Sequence, residues 1–153
     1  MCFKLKRKGS ASNMERMIIP AKIDNLDDVL RFVDEQIDKS GIPVPSKGQI
    51  ELAVEEIFVN IASYAYPSGG GEAQIECGVS GEDNCLTIRF TDKGRSFDPL
   101  AKEDADTSPQ ALVAREGGLG ILLVKKLMDE VSYTRRCGKN ELTVKKHLDG
   151  NRR

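Results

Sequence analysis

Glu56, Asn60 and Ser63 stand at i, i+4 and i+7 within the run ELAVEEIFVNIASYAY, from Glu51 to Tyr66, a spacing that aligns them on a narrow strip of one helix face. Ile50, Val54, Ile57, Phe58 and Ile61 gather on another face, and Leu52, Ala53, Val59 and Tyr64 leave the opposite side largely apolar, so this helix is expected to be buried on most of its circumference. A carboxylate and a carboxamide directed together into a partly dry space are costly unless something binds there. Solvated Glu55 and Glu56 with Asn60 as a local cap is the reading that the helix alone leaves open. Two further stretches weigh against it. In Thr91-Asp92-Lys93-Gly94-Arg95-Ser96-Phe97-Asp98-Pro99 an acid at a strand end is followed by a glycine; such an Asp accepts a hydrogen bond from an exocyclic amine, and the glycine lets a flat ring approach the backbone. Gly117-Gly118-Leu119-Gly120 opens a helix, so that bare amide N–H groups and the positive end of the helix face outward, an arrangement suited to phosphates. Taken singly, Asp-x-Gly is also a turn and a glycine cluster also a hinge. In this order the three describe a nucleotide site: Asp92 as amine acceptor, the glycines for phosphates, and Asn60 to hold a metal bridging them.

Hydrophobic periodicity places these residues on elements. ERMIIPA, from Glu15 to Ala21, is a short apolar run ended by Pro20 and suits an edge strand. Asp24-Asn25 stand where a helix cap would, before Leu26, Val29, Leu30, Val33 and Ile37 at helical spacing, with Gly41 just past the end. Ser46 and Gln49 resemble a capping box for the central helix, which ends at Pro67-Ser68-Gly69-Gly70-Gly71. AQIECGVS and CLTIRFTD alternate strictly around Gly81-Glu82-Asp83-Asn84, predicting a hairpin in which Val79 opposes Leu86, Cys77 opposes Ile88 and Ile75 opposes Phe90. Lys93 to Gly118 has no regular period, a helix is expected from about Leu119 to Glu130, and a last hairpin of VSYTRRC and ELTVKKHL turns at Gly138-Lys139-Asn140. Strands segregated from helices predict an α+β fold, a two-layer sandwich. Residues 1–13 read as a loose extension, 14–148 as one domain and 149–153 as a tail.

Composition removes whole classes of function. Lys and Arg number 23 against 24 Asp and Glu, a net charge of −1, so no overall field favours nucleic acid or an anionic membrane. No apolar run is long enough to span a bilayer. Cys2, Cys77, Cys85 and Cys137 lack both the spacing of a zinc site and the density of a disulfide scaffold, which makes reduced thiols in a cytoplasm the default expectation. His147, the one histidine, has no partner at metal-ligand spacing. The Lys125-Lys126 and Arg135-Arg136 pairs read as solvated, and Tyr64 and Tyr66 as core residues.

EEIFVN, DKGRSFDP and GGLGILLVKKLMDEV resemble, in order, the N box and the two glycine boxes of the GHKL ATPase superfamily. The resemblance is strongest to the stand-alone bacterial anti-sigma factor serine/threonine kinases, and runs from about Met14 to Leu148. It implies a histidine-kinase-like ATPase fold, a mixed but mostly antiparallel sheet with helices on one face, that takes ATP or ADP with Mg²⁺. It also implies Asn60 as the metal ligand and Glu56 as the general base toward an acceptor serine or water. Asn60, Ser63, Asp92, Gly94, Gly117, Gly118, Leu119 and Gly120 are then the cofactor-binding set, with a lid from about Leu100 to Glu116 in which Arg115 either meets the terminal phosphate or, the reading preferred, is solvated. The implied partners are an anti-anti-sigma (STAS-like) protein, a sigma factor and a second copy of the chain. One departure bears on the base: where the family often has Gly-Thr in the last hairpin, this chain has Lys139-Asn140.

Overall fold

The computed structural model describes residues 14–41, 47–96 and 120–148. The chain runs through strand β1 (Glu15–Pro20), a 3-10 turn (Ile23–Asn25), helices α1 (Leu26–Ser40) and α2 (Lys47–Asn60), a π-helical segment (Ile61–Ala65), strands β2 (Glu72–Ser80) and β3 (Cys85–Asp92), helix α3 (Gly120–Leu127), and strands β4 (Glu130–Arg136) and β5 (Lys139–His147). The strands form one sheet in the order β1-β2-β3-β5-β4. Every described pairing is antiparallel, where the sequence reading allowed a mixed sheet.

Alternation along β2 and β3 sets the layer. Ile75, Cys77, Leu86, Ile88, Phe90 and, from β5, Val144 share one sheet face and are almost wholly shielded from water. Against them pack Val29, Val33 and Ile37 of α1, Ile50, Ala53, Val54, Ile57 and Phe58 of α2, and Val124 of α3, all within one core cluster. Burying side chains of the size of Phe58 and Phe90 stabilises the fold by about 1.5–3 kcal/mol each. The β2–β3 register matches the expectation pair for pair, with Val79 opposite Leu86, Cys77 opposite Ile88 and Ile75 opposite Phe90. Burial pushes the Cys77 thiol up to about 12, so it behaves as a small core hydrophobe. Cys137, for which a reduced thiol is expected, is instead disulfide-bonded.

Helix ends depart from the sequence reading in instructive ways. Gly41 caps α1 at φ 70° as expected, its N–H donating to the Asp38 carbonyl at 3.1 Å. Asn25 makes no side-chain cap; its amide donates to the Pro20 carbonyl at 2.9 Å and ties the incoming turn to the edge strand. α3 stops at Leu127, where the Lys146 ammonium donates to the last carbonyl at 2.5 Å, and Glu130 already begins β4. The last hairpin turns at Cys137 and Gly138, both left-handed at φ 58° and 74°, the pair of conformations a two-residue type I′ turn requires. Lys139 and Asn140 therefore belong to β5 and not to the turn.

This connectivity positions a site. The chain leaves β3, returns through α3 to the outer strand β4, and inserts β5 between β4 and β3. The end of β3 thus lies beside the start of β5, with Asp92 paired to Asn140.

Candidate functional site

α2 does not continue helically to Tyr66. It changes to a π turn at Ile61, directly after Asn60, and such wide turns occur mostly as single insertions at functional positions. The widened turn breaks the i+7 relation that aligned Ser63 with Glu56. Ser63 is exposed, and Tyr64 instead reaches the cleft between α2 and the sheet. Glu56 and Asn60 keep their i+4 relation, both half-buried, and they meet the first residue of α3: a Cβ added to Gly120 would lie 3.0 Å from Glu56 Oε2 and 3.4 Å from Asn60 Nδ2. Among the described residues neither side chain has a hydrogen-bond partner. An acid, an amide and a bare helix start are therefore gathered at one end of the cleft.

The other end is built by β3, β4 and β5. Asp92 and Asn140 are 6% and 8% exposed, and at that burial each polar atom needs a partner. Asp92 Oδ1 accepts the Gly94 N–H at 2.9 Å and the Asn140 Nδ2–H at 2.9 Å. Asn140 Nδ2 also donates to the Arg95 carbonyl at 2.8 Å, and the Tyr133 hydroxyl donates to Asn140 Oδ1. Arg135 Nη1 donates to the Gly94 carbonyl at 2.8 Å.

The loop after Asp92 is thus tied to β4 and β5 on one side. On the other it closes onto the π turn: the Arg95 N–H donates to the Ala65 carbonyl at 2.9 Å, and a Cβ on Gly94 would stand 2.2 Å from that same oxygen. Only glycine fits there. Tyr66 braces the corner, its hydroxyl accepting the Lys93 N–H at 2.8 Å and donating to the Glu72 carbonyl at 2.6 Å; burial first, and the Asp92 charge among lesser causes, holds its phenol above the usual range.

Between the two ends the cleft is walled by Ile57, Ile61, Phe90, Ile121 and Leu142, with Asn60, Asp92 and Asn140 at its polar positions. Apolar walls with a few convergent polar groups are the form of a small-molecule site. Of the residues singled out from sequence, Asn60 and Asp92 line the cleft; Glu56 and Gly120 meet beside Asn60, Gly94 is bonded to Asp92, and Ser63 is exposed. Gly117, Gly118, Leu119, Arg115 and the 100–116 stretch lie outside the described residues. Tyr133, bonded to Asn140, and the exposed Arg135, bonded to the Gly94 carbonyl, are contacts of the site's residues that the sequence reading did not single out as such. Their signal was the strand period: Tyr133 pairs with Leu142 and Arg135 with Asn140, so both share the face of the cleft once the turn is placed at Cys137-Gly138.

The donor set suits a hard cation and not a caged one. The Asn60 amide offers an oxygen ligand of the kind Mg²⁺ takes, and Mg²⁺ needs few protein ligands where substrate phosphates and waters supply the rest. Among the described residues no group of three or more His, Cys, Asp or Glu is arranged to hold a metal by itself. Nor does any described helix have the length and apolarity to cross a membrane.

Residues 19–146 match the family described as "Histidine kinase-like ATPase domain". The chain is 30% identical over 127 residues to the serine-protein kinase RsbW of Oceanobacillus iheyensis, covering 80% of this chain and 79% of that one. It is 26% identical over 135 residues to the serine-protein kinase RsbW of Staphylococcus aureus, covering 84% of each. Among solved structures, the RsbU and RsbW domains of a Mycobacterium tuberculosis protein superpose with a TM-score of 0.60 at 15% identity, over 88% of this chain and 32% of that one. The histidine kinase domain of an Erythrobacter litoralis blue-light activated kinase superposes with a TM-score of 0.52 at 23% identity, over 92% and 66%. At these identities the superpositions speak to the fold alone, whereas the matched span of 128 residues (146 − 19 + 1) exceeds half of the chain's 153. The chain belongs to the histidine kinase-like ATPase family and is a relative of its RsbW serine-protein kinases.

Proposed function

We propose that this chain is a cytoplasmic ATP-dependent serine/threonine protein kinase of the anti-sigma-factor type, acting on an anti-anti-sigma (STAS-like) partner and holding or releasing a sigma factor accordingly. Kinship with the RsbW serine-protein kinases supports the class. The observation that carries the reading is that Asn60, which meets Gly120 together with Glu56, lines one cleft with the Asp92 carboxylate.

In this reading Asp92 accepts the exocyclic amine of adenine and Gly94 lies under the ring. Gly120, with Gly117, Gly118 and Leu119 ahead of it in the chain, turns its amides toward the phosphates. Asn60 holds Mg²⁺, which when bound spreads the charge of the transferring phosphoryl group. Glu56 takes the proton from the acceptor serine hydroxyl as that oxygen bonds to the terminal phosphorus and ADP departs. Glu56 makes no hydrogen bond among the described residues, so its carboxylate is not committed to a partner within the protein.

Calorimetric titration with ATP and ADP, with and without Mg²⁺, is the direct test, followed by transfer to a serine-bearing STAS-domain protein. Glu56→Ala is expected to bind nucleotide while transfer falls by about 10²–10⁴-fold, the usual contribution of a general base. An unchanged transfer rate would remove Glu56 from that role. Asn60→Ala is expected to lose Mg²⁺-dependent binding. Binding of ATP by the wild type with no transfer to any such partner would leave a nucleotide-dependent binding module, in which ATP or ADP selects the conformation that a partner recognises.

A further inference from the structure

Two cationic segments that are far apart in the chain meet beside Asp92. Lys93 and Arg95 follow the end of β3, and Arg135, Arg136 and Lys139 flank the β4–β5 turn. The fold holds them together: Arg135 Nη1 donates to the Gly94 carbonyl at 2.8 Å, Asn140 Nδ2 donates to the Arg95 carbonyl at 2.8 Å, and Arg136 pairs with Lys139 across the hairpin. Lys139 is half-buried and the other four are exposed. Among the described residues only Arg136 of the five has an ion-pair partner, Glu141 at 3.1 Å.

Lys93 and Lys139 line an open concavity of about 390 Å³, with the exposed Glu72 and the buried Asp92 as its acids. Its floor includes a cross-strand row in which Ile18 opposes Gln74 and Gln74 opposes Thr91. The row lies on the sheet face away from the helices, because its chain neighbours Ile19, Ile75 and Phe90 point into the core. Ile18 is 56% exposed, an apolar side chain left in water among cations.

We infer that this corner docks a protein partner through an acidic surface that carries an apolar side chain at its centre. Rim charges of this kind speed encounter and select the partner, while the apolar centre holds it. A small anion would engage the lysines and leave Ile18 in water; a protein surface covers both. Nucleic acid is the poorer fit. Outside these five residues the chain has 18 Lys and Arg against 24 Asp and Glu, so a long polyanion meets repulsion beyond the corner and a short acidic epitope does not. The surface is separate from the cleft, and its occupancy does not depend on reading the cleft as a nucleotide site.

The test uses the full chain without nucleotide and labelled probes followed by fluorescence anisotropy: a glutamate peptide with a central leucine, an all-glutamate peptide, a lysine peptide and a DNA duplex. Wild type is expected to bind the leucine-bearing glutamate peptide best, and more weakly as salt rises. Lys93→Glu/Lys139→Glu is expected to lower that affinity by about tenfold or more, the effect of like charges set against each other. The same charge change in Lys39→Glu/Lys145→Glu, on α1 and at the far end of β5, is expected to alter it by no more than about twofold. Ile18→Ser is expected to weaken the leucine-bearing peptide by about threefold or more and to spare the all-glutamate one.

Equal losses in the two double variants would reduce the effect to net charge and overturn the docking site. So would DNA bound as tightly as the glutamate peptides, or no binding of those peptides by wild type. An Ile18→Ser chain that holds the leucine-bearing peptide as wild type does would overturn the protein surface in favour of a simple anion site. Should Lys93→Glu/Lys139→Glu fail to fold, Lys93→Gln/Lys139→Gln removes the charge without reversing it and decides by the same comparison.

Discussion

Gly94 and Gly120 each stand next in the chain to a residue that lines the cleft, Arg95 and Ile121, yet what surrounds them differs in kind. A Cβ on Gly94 would meet backbone, the Ala65 carbonyl oxygen at 2.2 Å and its carbon at 2.7 Å, on a segment already pinned by the Arg95 N–H. A Cβ on Gly120 would meet side-chain ends, Glu56 Oε2 at 3.0 Å and Asn60 Nδ2 at 3.4 Å. Near Asp92 one carboxylate oxygen, Oδ1, is held within the protein through a network spanning β3, β4 and β5. Near Glu56 the polar groups have no partners among the described residues. One end of the cleft is held in place by bonds within the fold, and the other presents half-buried polar groups without such bonds among the described residues.

The sharpest way to break this comparison is to fill both glycines. Gly94→Ala forces backbone apart and is expected to destabilise the protein by about 1–3 kcal/mol, as overpacking of a fixed site does, with a lower midpoint in urea unfolding. An unchanged midpoint would mean that the loop after Asp92 yields easily, and the contrast would vanish. Gly120→Ala pushes only on rotatable side chains. Its stability is expected to stay within about ±0.5 kcal/mol of wild type, while phosphoryl transfer falls by about tenfold or more, since sub-ångström displacement of reacting groups is costly. Loss of stability without loss of transfer would place Gly120 with the fold instead of with the site.

The two ends were also unequally legible from sequence, for physical reasons. The β2–β3 hairpin could be read to the residue because strict alternation over Ile75, Cys77 and Val79, and over Leu86, Ile88 and Phe90, admits one register with an apolar face. Glu56 and Asn60 could be placed because four residues of helix fix their relation. Ser63 could not, since nothing in the apolar periodicity announces a π turn after Asn60; it emerges from the closure of Gly94 and Arg95 onto Ala65, a contact 29 positions distant in sequence (94 − 65). The last hairpin was misplaced for a local reason. Gly138-Lys139-Asn140 has turn composition, but the left-handed pair is Cys137 and Gly138, and cysteine is not a residue that signals positive φ. That shift hid the pairing of Arg135 with Asn140, and with it the network around Asp92.

Another carboxylate tests whether a buried acid oxygen without a partner is tolerated only where a ligand would meet it. Asp34 of α1 faces Glu51 of α2, far along that helix from Asn60, and its Oδ1 is buried without a hydrogen-bond partner. Burial first, and then the Glu51 charge, raise the Asp34 carboxyl above its ordinary value of 3.8; Lys47, itself bonded to Asp38 at 3.2 Å, opposes the shift, and a side-chain hydrogen bond with Glu51 and the Asp38 charge add to it.

A carboxyl raised in the folded state binds more protons there than in the unfolded chain, so stability falls as pH climbs from about 3.8 through the raised folded value. At neutral pH the charged Asp34 works against the fold. Asp34→Asn, which supplies an N–H to Glu51, is therefore expected to stabilise the protein at pH 7, by less than about 1 kcal/mol because solvent screens this half-buried pair. Its advantage should shrink as the pH is lowered toward and below 3.8, where the native carboxyl is itself neutral. Thermal midpoints of the two proteins across that range decide it. A variant less stable than wild type at pH 7 would show that the Asp34–Glu51 contact supports the fold as it stands.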